Sequence, residues 1–122
     1  MKGTKSIGRQ EALKRRAEQY KAVKAQIEQI GYVMQGSVVR RTKQCGRPGC
    51  RCQMGPEYEH GPYYQWTRKI QAKTVTSVLT PAEARLYQQW IRNERQLRRL
   101  IAKMYRISTR AARYLVGEER MP

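Results

Sequence analysis

Apolar residues recur at intervals of three and four positions between Arg9 and Ile30, which is the spacing of one face of an α-helix. The segment contains no Gly or Pro, and Gly31 follows it as a natural stop. We therefore expect an amphipathic helix over residues 9–30. Its apolar positions are Leu13, Ala17, Tyr20, Val23, Ile27 and Ile30.

The pattern changes to short β-prone runs between residues 36 and 79. These runs cover residues 36–41, 63–68 and 73–79. A short polar turn separates the last two, which predicts a hairpin, while a Gly/Pro-rich segment over residues 45–62 precedes it. The three runs together predict a small three-stranded antiparallel meander.

A second long helix is predicted over residues 81–107. Thr80 provides an N-cap, Pro81 occupies the first helical position, and Glu83 completes a capping box. Apolar residues from Leu86 onward form one stripe, and basic residues form the opposite face.

Ser108 and Thr109 predict a break in that helix, followed by a short helix over residues 109–117 that ends near Gly117. The expected fold is α+β, with the two long helices as an antiparallel hairpin or stalk around the meander, in a single domain over residues 1–122. The helical stripes are narrow, as in a coiled coil. Their exposed apolar edge predicts a homodimer or docking on a partner.

The net charge indicates the class of partner. The 122 residues contain 26 Lys and Arg and nine Asp and Glu, which gives a net charge of +17. Residues 1–31, 32–79 and 80–122 carry +5, +6 and +6, so the excess belongs to the folded body. A multidomain enzyme and a disordered basic tail are both excluded by length and apolar content. A polyanionic partner, nucleic acid or a nucleoprotein, is predicted.

The chain has no run of eighteen apolar residues and no signal-peptide pattern near its start, so a cytoplasmic protein without membrane contact is expected. Its three cysteines are an odd number, and cytosolic thiols stay reduced. Disulfides therefore explain these cysteines poorly.

All three cysteines and the one histidine occur within sixteen residues, as Cys45, Cys50, Cys52 and His60. Cys3His is a standard ligand set for structural zinc, and Gly and Pro between the cysteines supply the tight turns that it needs. An iron–sulfur cluster normally requires four thiolates. Buried thiols without metal would also account for the cysteines, as would a catalytic zinc, for which only Glu57 and Glu59 are near in sequence. We expect one structural zinc ion.

Arginine within this zinc knuckle is expected to bind phosphate, since guanidinium groups contact phosphate oxygens bidentately. Tyr63 is a candidate for stacking on bases, whereas Tyr64 and Trp66 alternate onto one face and are either core or stacking residues. Helix-coating Arg favours phosphate contacts and, slightly, RNA over DNA. The candidate nucleic-acid-binding residues are Arg40, Arg41, Lys43, Arg47, Arg51, Tyr63, Arg68, Lys69, Lys73, Arg92, Arg95, Arg99, Lys103 and Arg106.

The motif from Cys45 to Cys52 and the run His60-Gly61-Pro62-Tyr63-Tyr64 with Trp66 resemble a family of small prokaryotic proteins known only as a domain of unknown function. The resemblance covers about residues 36–107. It implies that the three cysteines and the histidine match the family's Cys/Cys/Cys/His pattern, and it implies no activity.

The predicted function is therefore a non-enzymatic zinc-knuckle protein that binds nucleic acid, as an accessory or structural part of a ribonucleoprotein or mobile-element complex. The alternative is an interaction module that dimerises or docks on an acidic protein partner through its helices. A small metalloenzyme is the third hypothesis, and the sequence contains no phosphate-binding loop or dinucleotide motif to support one.

Overall fold

The computed structural model describes the backbone of residues 2–116 and the side chains of residues 8–116. Two long helices and a three-stranded antiparallel sheet confirm the predicted α+β fold. The elements are α1 (Lys2–Glu28), β1 (Ser37–Lys43), two 3₁₀ turns (Arg51–Met54 and Pro56–Tyr58), β2 (His60–Ile70), β3 (Lys73–Leu79) and α2 (Pro81–Val116). Within the described part of the chain, no helix has the length and apolar character to cross a membrane.

The chain divides into two compact units. The helical unit comprises Met1–Gly31 and Arg95–Pro122, and the sheet unit comprises Tyr32–Glu94. The prediction of a single domain over residues 1–122 stays a prediction.

The core of the helical unit is a small apolar cluster between α1 and the second part of α2. Val23, Leu100 and Ile107 are its buried members. Leu13, which precedes Val23 in α1, lines a groove together with Leu115, which follows Ile107 in α2. The two segments therefore run antiparallel. The half-buried side chains that pack on the cluster are Tyr20, Ile27, Ile30 and Met104.

The predicted helix break at Ser108 and Thr109 is wrong, because α2 continues without interruption to Val116. The Thr109 hydroxyl donates a hydrogen bond to the Tyr105 carbonyl oxygen over 2.9 Å. A threonine can satisfy its hydroxyl on the preceding turn in this way and remain inside a helix. The predicted end of the short helix, at Gly117, lies outside the described residues.

The α1 helix begins at Lys2 rather than at Arg9 and ends at Glu28, just before the predicted stop. The reciprocal capping of α2 is confirmed. The Thr80 N–H donates to Glu83 Oε1 and the Glu83 N–H donates to Thr80 Oγ1, each over 3.1 Å. Two backbone donors at the start of this 36-residue helix are thus satisfied.

The sheet has the order β1-β2-β3 with both pairs antiparallel, which confirms the meander. Gln71 and Ala72 form the two-residue turn between β2 and β3, with φ of 49° and 67°. Positive φ at both central residues is the geometry that matches the twist of paired strands.

One face of the sheet packs on the first part of α2. Trp66 meets Tyr87 edge to face, with 5.0 Å between the ring centroids, and its Nε1 donates to the Gln35 carbonyl oxygen over 2.8 Å. Leu79, the register partner of Tyr64, is buried on the same face. Gly36 has a φ of +98°, and a Cβ there would fall on the Thr67 carbonyl oxygen. Trp66 is therefore a packing residue of the sheet unit.

Candidate metal centre

Local turns bring the three cysteines together. The Cys50 N–H donates to the Arg47 carbonyl oxygen over 3.3 Å, which closes a tight turn directly before the 3₁₀ turn Arg51–Met54. Gln53 Nε2 donates to the same Arg47 oxygen over 2.9 Å, which ties the two turns to each other. The segment between β1 and β2 thus forms a compact loop without any regular strand or α-helix.

Strand pairing brings His60 to this loop. His60 is the first residue of β2 and pairs with Lys43, the last residue of β1, next to a register shift between Arg41 and Lys43. The cysteine loop leaves the sheet at the point where His60 enters it. The hairpin geometry therefore positions the fourth ligand beside the other three.

The four potential ligand atoms of Cys45, Cys50, Cys52 and His60 all lie within 4.8 Å of one another. Cys50 Sγ is 3.3 Å from His60 Nε2, and Cys52 Sγ is 3.6 Å from Cys45 Sγ. Ligands about 3.8 Å apart form the edges of a tetrahedron around a metal with bonds of about 2.3 Å. These four residues lie close enough to hold a metal ion.

Hydrogen bonds make the environment of the Cys50 thiol favourable for a thiolate. The backbone N–H of Cys52, followed by His60 and the other two thiols, lowers the pKa of Cys50 to about 6. At Cys52 the N–H of Cys45, which donates to its Sγ over 3.2 Å, also lowers the pKa. Burial and the two neighbouring thiols outweigh that bond and raise the pKa of Cys52. Thiolate is the form that binds metal.

The basic residues predicted near the knuckle make two kinds of contact: some line a pocket, and one lies over a tyrosine ring. Lys43, Arg47 and Tyr63 line a pocket of about 220 Å³ together with three of the four candidate metal ligands. Arg51 lies over the Tyr58 ring, with its Cζ 4.6 Å from the ring centroid. These residues form one neighbourhood around the cluster.

The predicted residues on the strands divide between the two faces of the sheet. The Arg68 guanidinium stacks on Trp66 at 3.7 Å and donates to Ser77 Oγ over 2.7 Å, so it supports the packed face. Arg40 pairs with Tyr64, which places it on that face as well. Arg41 and Lys69 lie on the opposite face, whereas Lys73, the register partner of Ile70, lies on the same face as Trp66. Arg40, Arg41, Lys69 and Lys73 are all exposed.

The five predicted basic residues of α2 are all exposed. Arg92 belongs to the sheet unit and donates to Gln89 Oε1 over 2.8 Å. The other four lie in the helical unit and recur every three or four residues. Since α2 is continuous, Arg110 and Arg113 extend the same series, which the predicted break had concealed. The spacing in the sequence was the signal for these two residues. The resulting basic face of the helical unit consists of Arg95, Arg99, Lys103, Arg106, Arg110 and Arg113.

Comparison with known proteins gives a match to a family model alone. No curated protein and no solved structure matches the chain. A family model, described as Domain of unknown function (DUF6788), matches residues 9–89. The match begins and ends earlier than the expected 36–107, and it includes the complete ligand cluster. The match covers more than half of the sequence, so the chain belongs to the family of the domain of unknown function DUF6788.

Proposed function

We propose that this protein is a non-enzymatic nucleic-acid-binding protein whose Cys45, Cys50, Cys52 and His60 hold one structural zinc ion. Zinc favours thiolate and imidazole ligands in a tetrahedron, and the closely spaced ligand atoms fit that demand. Such an ion would hold together a loop that contains little regular structure.

The observation that carries the nucleic-acid proposal is the basic face of the helical unit. Its six cationic side chains are exposed and follow the helical repeat from Arg95 to Arg113. No Asp or Glu occurs in the sequence between these two residues, so the positive charge is not balanced along this segment. A cationic row of this kind suits a phosphate backbone.

The surroundings of the metal cluster support a structural rather than a catalytic ion. Catalytic zinc leaves a coordination position open and works with a nearby acid or base. Among the described residues that line the adjacent pocket, none is acidic. Glu59 accepts a hydrogen bond from Thr42 Oγ1 over 2.8 Å, which engages one of the two nearby carboxylates.

The chemistry of the basic face favours RNA slightly over DNA. A helix that carries a cation at each turn fits closely spaced phosphates of a folded RNA without reading base edges in a major groove. An accessory or structural role in a cytoplasmic ribonucleoprotein or mobile-element complex follows as part of the same proposal.

A salt titration tests this function. Fluorescence anisotropy of the zinc-loaded chain with a labelled RNA hairpin and with a DNA duplex would be recorded between 50 and 200 mM NaCl. Six phosphate contacts to duplex DNA predict a slope of about −5 in a plot of log binding constant against log salt concentration. A slope near zero, or no binding to either nucleic acid, would contradict the proposal.

A second candidate function, docking of a protein partner, is favoured by a groove in the helical unit. The groove has a volume of about 540 Å³ and an apolar floor that includes Leu13, Tyr20 and Ile107. Lys21 and Lys24 also line it. Arg16 also lines it, and its buried Nε has no hydrogen-bond partner among the described residues. A second copy of the chain would bring the same cations, so an acidic amphipathic helix of a different protein is the better occupant.

Selection of a displayed random-peptide library on the full chain tests this second function. Acidic amphipathic sequences should be enriched and should lose binding to Ala111→Glu, which places a carboxylate in the groove. Ala25→Glu on exposed α1 surface is the charge-matched control. A homodimer that Ala111→Glu disrupts, or selected peptides insensitive to both variants, would overturn it.

A further inference from the structure

The face of the sheet that points away from Trp66 and α2 is open and contains no acidic side chain. Its register rows pair Val39 with Gln65 and Val78, and Thr67 with Thr76. The fractional exposure of Val78 is 68%, so nothing in the sheet unit covers this part of the face. We define the outer face as Ser37, Val39, Arg41, Tyr63, Gln65, Thr67, Lys69, Thr74, Thr76 and Val78.

Charge is distributed unevenly over the outer face. Its centre is uncharged, with Gln65 between two valines and a 3.2 Å hydrogen bond between the hydroxyls of Thr67 and Thr76. The cations Arg41 and Lys69 lie in register rows towards opposite ends of β2. Apolar and neutral polar groups suit contact with bases, whereas the cations at the ends suit phosphates.

Tyr63 connects the outer face to the pocket beside the metal cluster. It pairs with Arg41 across β1 and β2, and it lines the pocket of about 220 Å³ together with Lys43 and Arg47. The Lys43 ammonium lies 5.2 Å from the centroid of the Tyr63 ring. An aromatic ring and two cations thus surround one concave site.

Gly61 helps to hold Tyr63 in place. Its φ is +125°, and a Cβ at this position would lie 3.2 Å from Cδ2 of Tyr63 and 3.0 Å from the Arg41 carbonyl oxygen. A glycine therefore allows the backbone to lie close against the edge of the ring. The metal ligand His60 directly precedes it in the sequence, so the ring is positioned by the same hairpin that builds the cluster.

We propose that the outer face and this pocket bind an unpaired stretch of nucleic acid, with one base stacked on Tyr63 and its phosphates at Lys43 and Arg47. The inference rests on the proposed nucleic-acid binding and names the substrate class of the sheet unit. Stacking requires an exposed base face, which a duplex does not offer. The uncharged centre of the outer face also gives a duplex backbone little to contact.

Anisotropy measurements on the full zinc-loaded chain test the inference. The probes are labelled 12-nucleotide oligo(U) and oligo(dT), with a 12-base-pair RNA duplex for comparison at the same salt. Tyr63→Leu should weaken binding of the single strands by about 5-fold or more, the usual effect of losing one stacked base, and should leave the duplex unchanged. Tyr63→Phe should remain within about twofold of the wild type because the ring is retained.

Tyr32→Leu is the matched control, since Tyr32 is an exposed tyrosine that lies outside both the outer face and the basic face. A second variant, Val78→Glu, places a carboxylate on the outer face at an exposed position, and Ala25→Glu adds the same charge to α1. Val78→Glu should weaken single-strand binding more than Ala25→Glu does. This pair keeps the inference testable if Tyr63→Leu does not retain its metal.

The outcomes separate this inference from the proposed function. Equal losses for duplex and single strands, or no effect of Tyr63→Leu and Val78→Glu, would overturn the single-strand site while nucleic-acid binding stands. A wild-type chain that binds none of the three probes would overturn both.

Discussion

Cys50 and His60 are separated by nine residues in the sequence, yet Sγ of the cysteine lies 3.3 Å from Nε2 of the histidine. The contact joins an irregular loop to the first residue of a strand. Neither residue is deeply buried, since Cys50 is half-buried and His60 is exposed. Apolar packing therefore does not explain their proximity, which is the arrangement that the proposed metal ion requires.

The first prediction concerns metal content. The chain purified without chelator should contain about one zinc ion, and Cys50→Ser should reduce this content severalfold because a hydroxyl is a poor zinc ligand. Inductively coupled plasma mass spectrometry measures it. Gln44→Ser, beside Cys45 but outside the ligand set, should keep the full content. Metal-free wild-type protein with native circular dichroism would contradict a structural ion.

The second prediction concerns removal of the ion. A zinc chelator should accelerate tryptic cleavage after Arg51, because the loop that carries it contains few other contacts to hold it. Cleavage after Arg106, inside α2 of the helical unit, should keep its rate. Mass spectrometry of a digestion time course measures both rates. Equal acceleration at both sites would indicate that the ion supports the whole chain.

The third prediction concerns the basic face of the helical unit. Replacing both Arg99 and Lys103 with Gln should make the salt slope of nucleic-acid binding less negative by about 2, since each cation neutralises about one phosphate. The variant Lys14→Gln with Arg15→Gln, on exposed parts of α1, removes the same charge and should change the slope less. Identical slopes for the two double variants would show that net charge alone determines binding.

The fourth prediction concerns the start of α2. Thr80→Ala removes the hydroxyl that accepts from the Glu83 N–H and should lower the free energy of unfolding by about 1 kcal/mol. Thr80→Ser retains an acceptor and should cost much less. Urea titration followed by circular dichroism measures the difference. A loss of equal size in both variants would assign the effect to the threonine methyl group.

Much of the sheet and both helices could be predicted because local signals were strong there. Thr80, Pro81 and Glu83 form a capping signature that depends on no distant residue, and it occurs in the structure as predicted. The candidate metal site could also be predicted, since three cysteines and one histidine occur within sixteen residues. Each of these features is encoded over a short stretch of sequence.

Features that depend on distant partners or on competing local bonds were harder to predict. The sequence alone does not show that the Thr109 hydroxyl donates to the Tyr105 carbonyl oxygen inside a continuous helix. The wrongly predicted helix break left Arg110 and Arg113 out of the predicted site. The sequence predicts Arg68 as a nucleic-acid contact, whereas in the structure its guanidinium packs on the Trp66 ring. Strand alternation alone does not show which face α2 covers, and that choice determines which basic residues face away.

Because α2 is uninterrupted, the six cations of the basic face keep a fixed spacing and a common direction along the helix. Each residue rotates a helix by about 100°, so a single residue inserted after Lys103 would turn Arg106, Arg110 and Arg113 away from the three cations before them. Seven inserted residues, close to two full turns, would restore alignment and lengthen the row by about 10 Å. The nucleic-acid binding proposed for this segment should therefore depend on its helical phase as well as on its count of positive charges.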